Sequence, residues 1–570
     1  MSRFRLLLFG FTLLALPTHS LFAQAVPAPG PSAQFTLNAR TAVEDVVVMD
    51  KNGRAVPGLR KEDFQILENG KPQAITFFEP NFAATAAPSA PPALLPPDTF
   101  TNVPAVPPNN VTNVLLLDAL NTRTTERMYA QVRMVKYLAA LPPNLRIGVF
   151  TLDKEKFHML WGLNQDSSAL RAVIAKFTAR HSRSSSPSSA AQQQAEQQEL
   201  IETADALKQT AKNTNDTRLG ESADTLQRFL KYGTGVMDEY GNFFTTMNAL
   251  EALAHYLAGI PGRKNLFWLA GSFPHQFKSQ AGFDWYREAR DKLTEAGVSV
   301  YPIDANGVDV DTGGVQNITS ISASSARFEA TENWAEDTGG KAYHENDIQQ
   351  EIAAAADHGS RYYTLAYDPT DRKEEGRERK VEVKVLSGDY KVFYRKSYFE
   401  QTQKESAKAA AAPAKNPLIA LMGRGMPDVS EIPYRLKIAP SATQPAAGTP
   451  RAGENAQLGG KLTRYRIGFQ LQASGLSLLP DPDGVRRKSL EVMLVVYSQD
   501  AKPLNWESRN INLVIKPEQW ARASAEGVSF HFEIDAPPGD VYLHTGVYDS
   551  SSSKVGTLEI PLSAVTVAQE

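Results

Sequence analysis

At 570 residues the chain is too long for a single hydrophobic core, and ordinary domain sizes predict about three to four units. A formal net charge of -3 supplies no broad basic field for nucleic acid and no acidic tail, so electrostatic recognition has to be local. The absence of cysteine excludes disulfides, thiolate zinc sites, a cysteine nucleophile and a cysteine-linked lipid anchor, and leaves stability to packing.

Residues 1–25 have the layout of an export signal: Arg3 and Arg5, the apolar stretch Leu6 to Leu16, then Ala23-Gln24-Ala25. That run is too short to span a bilayer, and no later stretch reaches transmembrane length. Cleavage after Ala25 removes two positive charges and no acid, taking the net charge from -3 to -5. The expectation is a secreted or periplasmic chain with no transmembrane segment after signal cleavage.

Residues 33–80 read as a small β domain. Turn signals at Asn52-Gly53 and Asn69-Gly70 punctuate the runs Asp45 to Val48 and Asp63 to Leu67, and Ala74 to Phe78 closes the unit. Residues 81–110 are rich in Pro and Ala, as in Ala90-Pro91-Pro92 and Pro107-Pro108, which predicts an extended linker.

From Val111 strand and helix patterns alternate. Val111 to Asp118, Arg146 to Leu152, Lys264 to Ala270, Ser299 to Asp304 and Arg361 to Tyr367 read as strands, with His158 to Leu163 as an edge strand. Thr124 to Leu141, Ser167 to Phe177, Thr245 to Ala258, Asp284 to Ala296, Glu332 to Thr338 and Ile348 to Ala356 read as helices. This rhythm predicts a doubly wound, mostly parallel sheet over residues 111–400. Residues 182–242 are too long for an ordinary connection, and their Ala, Gln and Glu content predicts an inserted helical excursion with solvent-facing surface. Val381, Val383 and Val385 alternate ahead of Lys391 to Tyr394, which predicts a hairpin.

Residues 401–430 read as a second linker. Beyond it, Tyr465/Ile467/Phe469/Leu471, Leu490/Val492/Leu494/Val496 and Val528/Phe530/Phe532/Ile534 alternate between turn signals, so residues 431–570 are expected to form an antiparallel β-sandwich.

Asp118-Ala119-Leu120-Asn121-Thr122 follows the buried-strand pattern Val114 to Leu117. In open α/β sheets ligands bind beyond the carboxyl ends of the strands, which makes a carboxylate and a hydroxyl at this point candidates for a cation or partner site. Asp153, Ser272 and Asp304 also follow expected strands, and parallel strands gather their carboxyl ends on one rim. Asp304 with Asp118 and Thr122 would then hold a cation through waters. The same residue types cap the helices and turns that follow strands, and that reading is preferred.

The α/β segment resembles the von Willebrand factor type A domain, and within it the VWFA-related secreted bacterial proteins of acidobacterial type. The stretches that carry the likeness are Val48 to Gly53 with Gly58 to Phe64, then Leu115 to Thr122, Tyr301-Pro302-Ile303-Asp304, Tyr362 to Tyr367 and Arg395 to Phe399. The likeness covers residues 35 to 400 and implies a Rossmann-like fold used chiefly to bind proteins. It also implies a metal-ion-dependent adhesion site, in which hard oxygen donors hold Mg²⁺ or Ca²⁺ with one position open to a partner's carboxylate. Asp118 and Thr122 match its first Asp and last Ser. Leu120 replaces the middle Ser, Phe244 stands about where a Thr belongs, and Ala270 stands where a later Asp belongs. These departures describe a degenerate site, and no resident metal is the preferred reading.

Enzyme motifs are sparse. Gly271-Ser272 follows a strand, but Ala270 and Pro274 occupy the glycine slots of a nucleophile elbow, so a serine hydrolase built on Ser272, Asp304 and His344 is an outside alternative. The nine histidines show no paired zinc spacing, and Gly262-Arg263-Lys264 lacks the rest of a phosphate loop. The aromatic clusters Tyr362-Tyr363 and Tyr394 to Phe399, interleaved with Arg361, Arg395 and Lys396, read as sheet packing in a chain without net positive charge. The expectation is therefore an exported, non-enzymatic binding or adhesion-type protein, with no catalytic residues, engaging a protein or envelope component and no nucleic acid. Its alternative is a metal-independent scaffold or assembly factor of the envelope.

Overall fold

The computed structural model describes residues 41–82, 95–104, 111–122, 132, 135, 147–153, 157–163, 190–214, 217–231, 239–274, 280–305, 318–344, 348–371, 378–399, 416–445 and 450–566. The expected export signal, the helix at Ser167 to Phe177, most of the helix at Thr124 to Leu141 and residues 401–415 lie outside the described residues. None of the described helices is long and apolar enough to cross a membrane.

The chain opens with β1 (Ala42–Met49), β2 (Phe64–Glu68), β3 (Lys71–Gln73) and β4 (Ile75–Asn81). Asn69 and Gly70 both have positive φ, +48° and +79°, the two-residue turn whose twist matches the β2–β3 hairpin it joins. Within the Pro/Ala-rich stretch, β5 (Thr99–Thr101) is a short strand; its partner comes from the far end of the chain.

The middle of the molecule is a five-stranded sheet. β6 (Thr112–Asp118), β7 (Ile147–Leu152) and β8 (Phe157–Trp161) precede a helical pair, α1 (Ala190–Thr214) and α2 (Thr217–Lys231). Then follow α3 (Glu239–Ala258), β9 (Lys264–Ala270), α4 (Gln280–Glu295), β10 (Val298–Asp304), α5 (Ile318–Thr338) and α6 (Ile348–Ser360). The order is β10-β9-β6-β7-β8, parallel except for the antiparallel edge strand β8. Every residue of β6, β9 and β10 is buried, because helices cover both faces. One face packs Val114, Leu116, Leu266 and Trp268 against α3, α4 and α5; the other packs Leu115, Leu117, Phe267 and Leu269 against α1, α2 and α6.

The long insertion is part of this second layer. Leu200, Ala204, Leu207 and Ala211 of α1 share a buried core with Leu219, Ala223, Leu226 and Leu230 of α2. These residues recur at the three- and four-residue spacing of a helix stripe. Ser222 donates to the Leu160 carbonyl at 2.6 Å, tying α2 to the edge strand. The segment thus covers the sheet with its apolar stripe.

After α6 the chain leaves the parallel sheet. β11 (Tyr362–Tyr367), expected as another parallel strand, lies antiparallel between β1 and β4. β12 (Glu378–Val385) pairs with β2, β13 (Lys391–Phe393) with β1, and β14 (Ser397–Phe399) with β12. The N-terminal β unit is therefore built from two segments that bracket the α/β unit, and its core joins Val46, Val48, Phe64 and Ile66 to Tyr363, Leu365, Val381 and Val383. Its buried Glu68 accepts from Arg379 Nη1 at 2.6 Å, Tyr367 Oη at 3.0 Å and Tyr398 Oη at 2.6 Å. Among the described residues, the edge of the parallel sheet beyond β10 carries a single bridge, from Ile303 to Tyr343.

The C-terminal part comprises α7 (Pro417–Leu421), β15 (Tyr434–Pro440), β16 (Thr463–Leu471), β17 (Arg486–Ser498), β18 (Pro503–Ile515), α8 (Pro517–Glu526), β19 (Val528–Ala536), β20 (Val541–Asp549) and β21 (Lys554–Pro561). Two antiparallel sheets, β19-β16-β15-β5 and β18-β17-β20-β21, enclose one core that includes Ile467, Phe469, Leu490, Val492 and Ile534. The first sheet takes its edge strand β5 from the Pro/Ala-rich stretch. Asn102, next to β5, is buried and donates to the Val429 and Ile432 carbonyls at 2.7 and 3.0 Å, while its own carbonyl accepts from Tyr434 N at 2.9 Å.

Candidate functional site at the carboxyl rim

Asp118, Ala270 and Asp304 end three neighbouring strands in register, so their side chains share the face covered by α3 to α5. With one strand between them, Asp118 and Asp304 are about 10 Å apart at Cα, from the usual strand spacing. Ala270 stands between the two carboxylates.

Asp118 is fully buried, and both carboxylate oxygens are engaged. Oδ1 accepts the Asn121 backbone N–H at 3.0 Å; Oδ2 accepts the Asn121 side-chain amide at 2.7 Å and the Trp268 indole N–H at 2.9 Å. Burial pushes the carboxyl up from 3.8 to about 6, and the bonds from Asn121 and Trp268 pull the other way without cancelling it. Trp268 is held in place by edge-on contacts with Phe273 and Trp334, at ring separations of 5.1 and 5.4 Å.

Thr122 sits beside Asp118 and is also turned inward. Its hydroxyl donates to the Asp118 carbonyl at 3.0 Å and accepts from Gly271 N at 3.1 Å, so it links the loop after β6 to the loop after β9. Leu120, the residue between them in sequence, is buried in the hydrophobic layer under α3. Phe244 packs edge-on against Trp285, while Thr246, two residues further along α3, takes the polar position and accepts from the Asn121 amide at 2.8 Å. Asn121, Thr246 and Trp268 are the rim residues that the sequence reading did not single out. Asn121 carries an Asx-type turn signal three residues after Asp118, but nothing in an otherwise apolar strand marks Trp268 as a polar partner.

Asp304 is buried, and its backbone N–H donates to the Tyr343 carbonyl at 3.2 Å. Asp153 is buried at the end of β7, and Ser272 is half-buried after β9. His344 meets Glu332 at 3.1 Å and stacks on Phe328; among the described residues no hydrogen bond joins it to Ser272. The structure thus brings Asp118 and Thr122 together, places Asp304 two strands away with β9 between, and among the described residues shows no bond between Ser272 and His344.

The donor set around Asp118 does not fit a directly bound divalent ion. Mg²⁺ and Ca²⁺ require oxygen lone pairs aimed at the metal. Here three N–H groups point their positive ends at the carboxylate, and an indole nitrogen has no lone pair to offer. Among the described residues no group of three or more His, Asp or Glu side chains is arranged to hold a metal. What the arrangement does chemically is fix the rim: one carboxylate and one hydroxyl tie the loops after β6 and β9 to each other and, through Asn121, to α3.

No family model matches the chain, and no curated protein does. Among solved structures, an aerotolerance-related membrane protein from Bacteroides fragilis NCTC 9343 matches 44% of this chain and 98% of its own, at 8% identity and a TM-score of 0.21. The N-terminal domain of TFIIH p34 matches 44% of this chain and 96% of its own, at 9% identity and a TM-score of 0.18. A Bacteroides uniformis beta-glucuronidase matches 35% of this chain and 18% of its own, at 12% identity and a TM-score of 0.13. At these scores the likenesses carry no argument about what the chain does, which rests on its own residues.

Proposed function

We propose that the chain is an exported, non-enzymatic binding protein whose parallel-sheet unit is of the von Willebrand factor type A kind, and that its carboxyl rim engages a protein or envelope component without a bridging metal. The observation that carries this reading is the closure of Asp118 by Asn121 and Trp268. A buried carboxylate with both oxygens engaged presents no ion to a partner and no base to a substrate. It leaves a rim with fixed loops, and a pre-organised surface loses less entropy on binding than a mobile one.

The chain from Val26 onward, immobilised and exposed to envelope extract of the producing bacterium, tests this reading. Capture that persists in EDTA and is lost with Ser272→Arg, a half-buried rim position, supports it. Loss of capture in EDTA alone refutes metal independence. Labelling of Ser272 by a fluorophosphonate refutes the non-enzymatic reading. A second reading, a metal-independent scaffold of the envelope, draws on the interlocking of units through β5 and through β11 to β14. It predicts capture that is insensitive to rim substitutions.

A further inference from the structure

A cleft of about 460 Å³ separates the lower ends of α3 and α4 from the C-terminal sandwich. We propose that it binds a small hydroxylated carboxylate, of the sugar-acid or hydroxy-acid class. The volume is that of a small-molecule site. It lies away from the rim: His255 follows Thr246 by nine residues on α3, about 14 Å along the helix axis.

The cleft is built around a pair that crosses between the two units. His255, only 3% exposed, places Nδ1 2.7 Å from Glu431 Oε2, and the same oxygen accepts Val555 N–H at 3.0 Å. This fixes the imidazole, and His255 is one of the residues that line the cleft. The walls are in close contact: a Cβ on Gly259 would come within 2.6 Å of the Ser430 carbonyl carbon and 2.9 Å of Glu431 N. Such a site is pre-organised and does not need to close on its ligand.

The lining sets the ligand class. Lys292 and Lys554 supply cations from opposite walls, for a carboxylate. Hydroxyls of Ser430, Ser474, Ser552 and Ser553 both donate and accept, and so match ligand hydroxyls. Glu295 at the mouth, together with Glu431, opposes a multiply charged anion. The small floor residues Ala254 and Ala258 offer no aromatic platform for a flat apolar ligand.

Isothermal titration of the full chain with D-gluconate, D-glucose and inorganic phosphate tests the assignment. Gluconate is expected to bind with saturable heat at or below about 10 mM, and Lys554→Ala and Lys292→Ala each to weaken it about tenfold, the scale of one charge-assisted contact. Both lysines are partly exposed, so the variants keep the fold, which their circular dichroism melts verify. Glucose binding as tightly as gluconate removes the carboxylate from the proposal, and phosphate binding as tightly removes the hydroxyls. Absence of gluconate heat, or heat unchanged in both lysine variants, overturns it. None of these outcomes depends on the rim reading, whose test uses Ser272→Arg.

Discussion

Replacing Asp118 by Asn separates the charge of this residue from its shape. In the folded chain burial lifts the carboxyl to about 6, against 3.8 without the fold. At 1.36 kcal/mol per pH unit, that gap is worth about 3 kcal/mol. The folded group keeps its proton to a higher pH than the unfolded one. The stability linked to that proton is therefore fully present below about pH 4 and is lost as pH rises through about 6. Asn does not titrate, so the stability of the parent chain minus that of Asp118→Asn should fall by about 2.4 kcal/mol between about pH 4 and pH 7. Urea unfolding followed by far-ultraviolet circular dichroism, at half-unit pH steps, measures this difference. A flat difference would mean an unshifted carboxyl, and one that rises with pH a carboxylate stabilised as an ion, as a metal ligand is; either would refute the reasoning. Repeating the series with millimolar Mg²⁺ makes the contrast direct, since a metal-held Asp118 would gain stability above pH 6 in the parent chain alone.

Three further outcomes follow from the packing. Arg379→Met leaves Glu68 buried and uncompensated and should cost about 3–5 kcal/mol in urea unfolding, while the double change Glu68→Leu/Arg379→Met should recover most of that loss. Gly259→Val forces apart the contact with Ser430 and Glu431, and calorimetry should then resolve separate transitions for the α/β unit and the sandwich where the parent chain shows one. Deleting residues 1–82 removes the partners of β11 and β12, so hydrogen exchange should find the Tyr362–Tyr367 amides unprotected while those of β6 stay protected.

The parallel sheet was legible in the sequence because strands covered on both faces must be apolar at every position, as Val114 to Leu117 and Leu266 to Ala270 are. The small β unit was legible only in its halves. Alternation at Val381, Val383 and Val385 announces one buried face but does not say which strand lies alongside. Tyr362–Tyr367 follows a helix, as a parallel strand would, yet it pairs with β1 across more than 300 residues: Thr364 bonds Asp45 at a separation of 319. β5 escaped notice because three residues in a Pro/Ala context are too short to carry a period. The helical insertion was readable as helix, while its role as a covering layer depended on Leu200, Leu207 and Leu226 meeting one another, a tertiary fact.

At the rim, position was readable and partnership was not. Asp118 stands at a strand end, which sequence periodicity locates; whether its oxygens face an ion or N–H groups depends on a tryptophan 150 residues away. In the strand Lys264–Ala270 that tryptophan reads as core, and it is core on three sides, against Phe273, Trp334 and the helices. Its fourth side donates to Asp118. A positive edge is thus supplied by a neutral residue, at the cost of leaving the carboxyl desolvated enough to titrate near 6. A fully solvated carboxylate would avoid that cost, but it would not tie the loop after β6 to β9 and α3 at once. The penalty on Asp118 above pH 6 is offset by the order it imposes on the rim, and that order is what the proposed metal-independent binding would use.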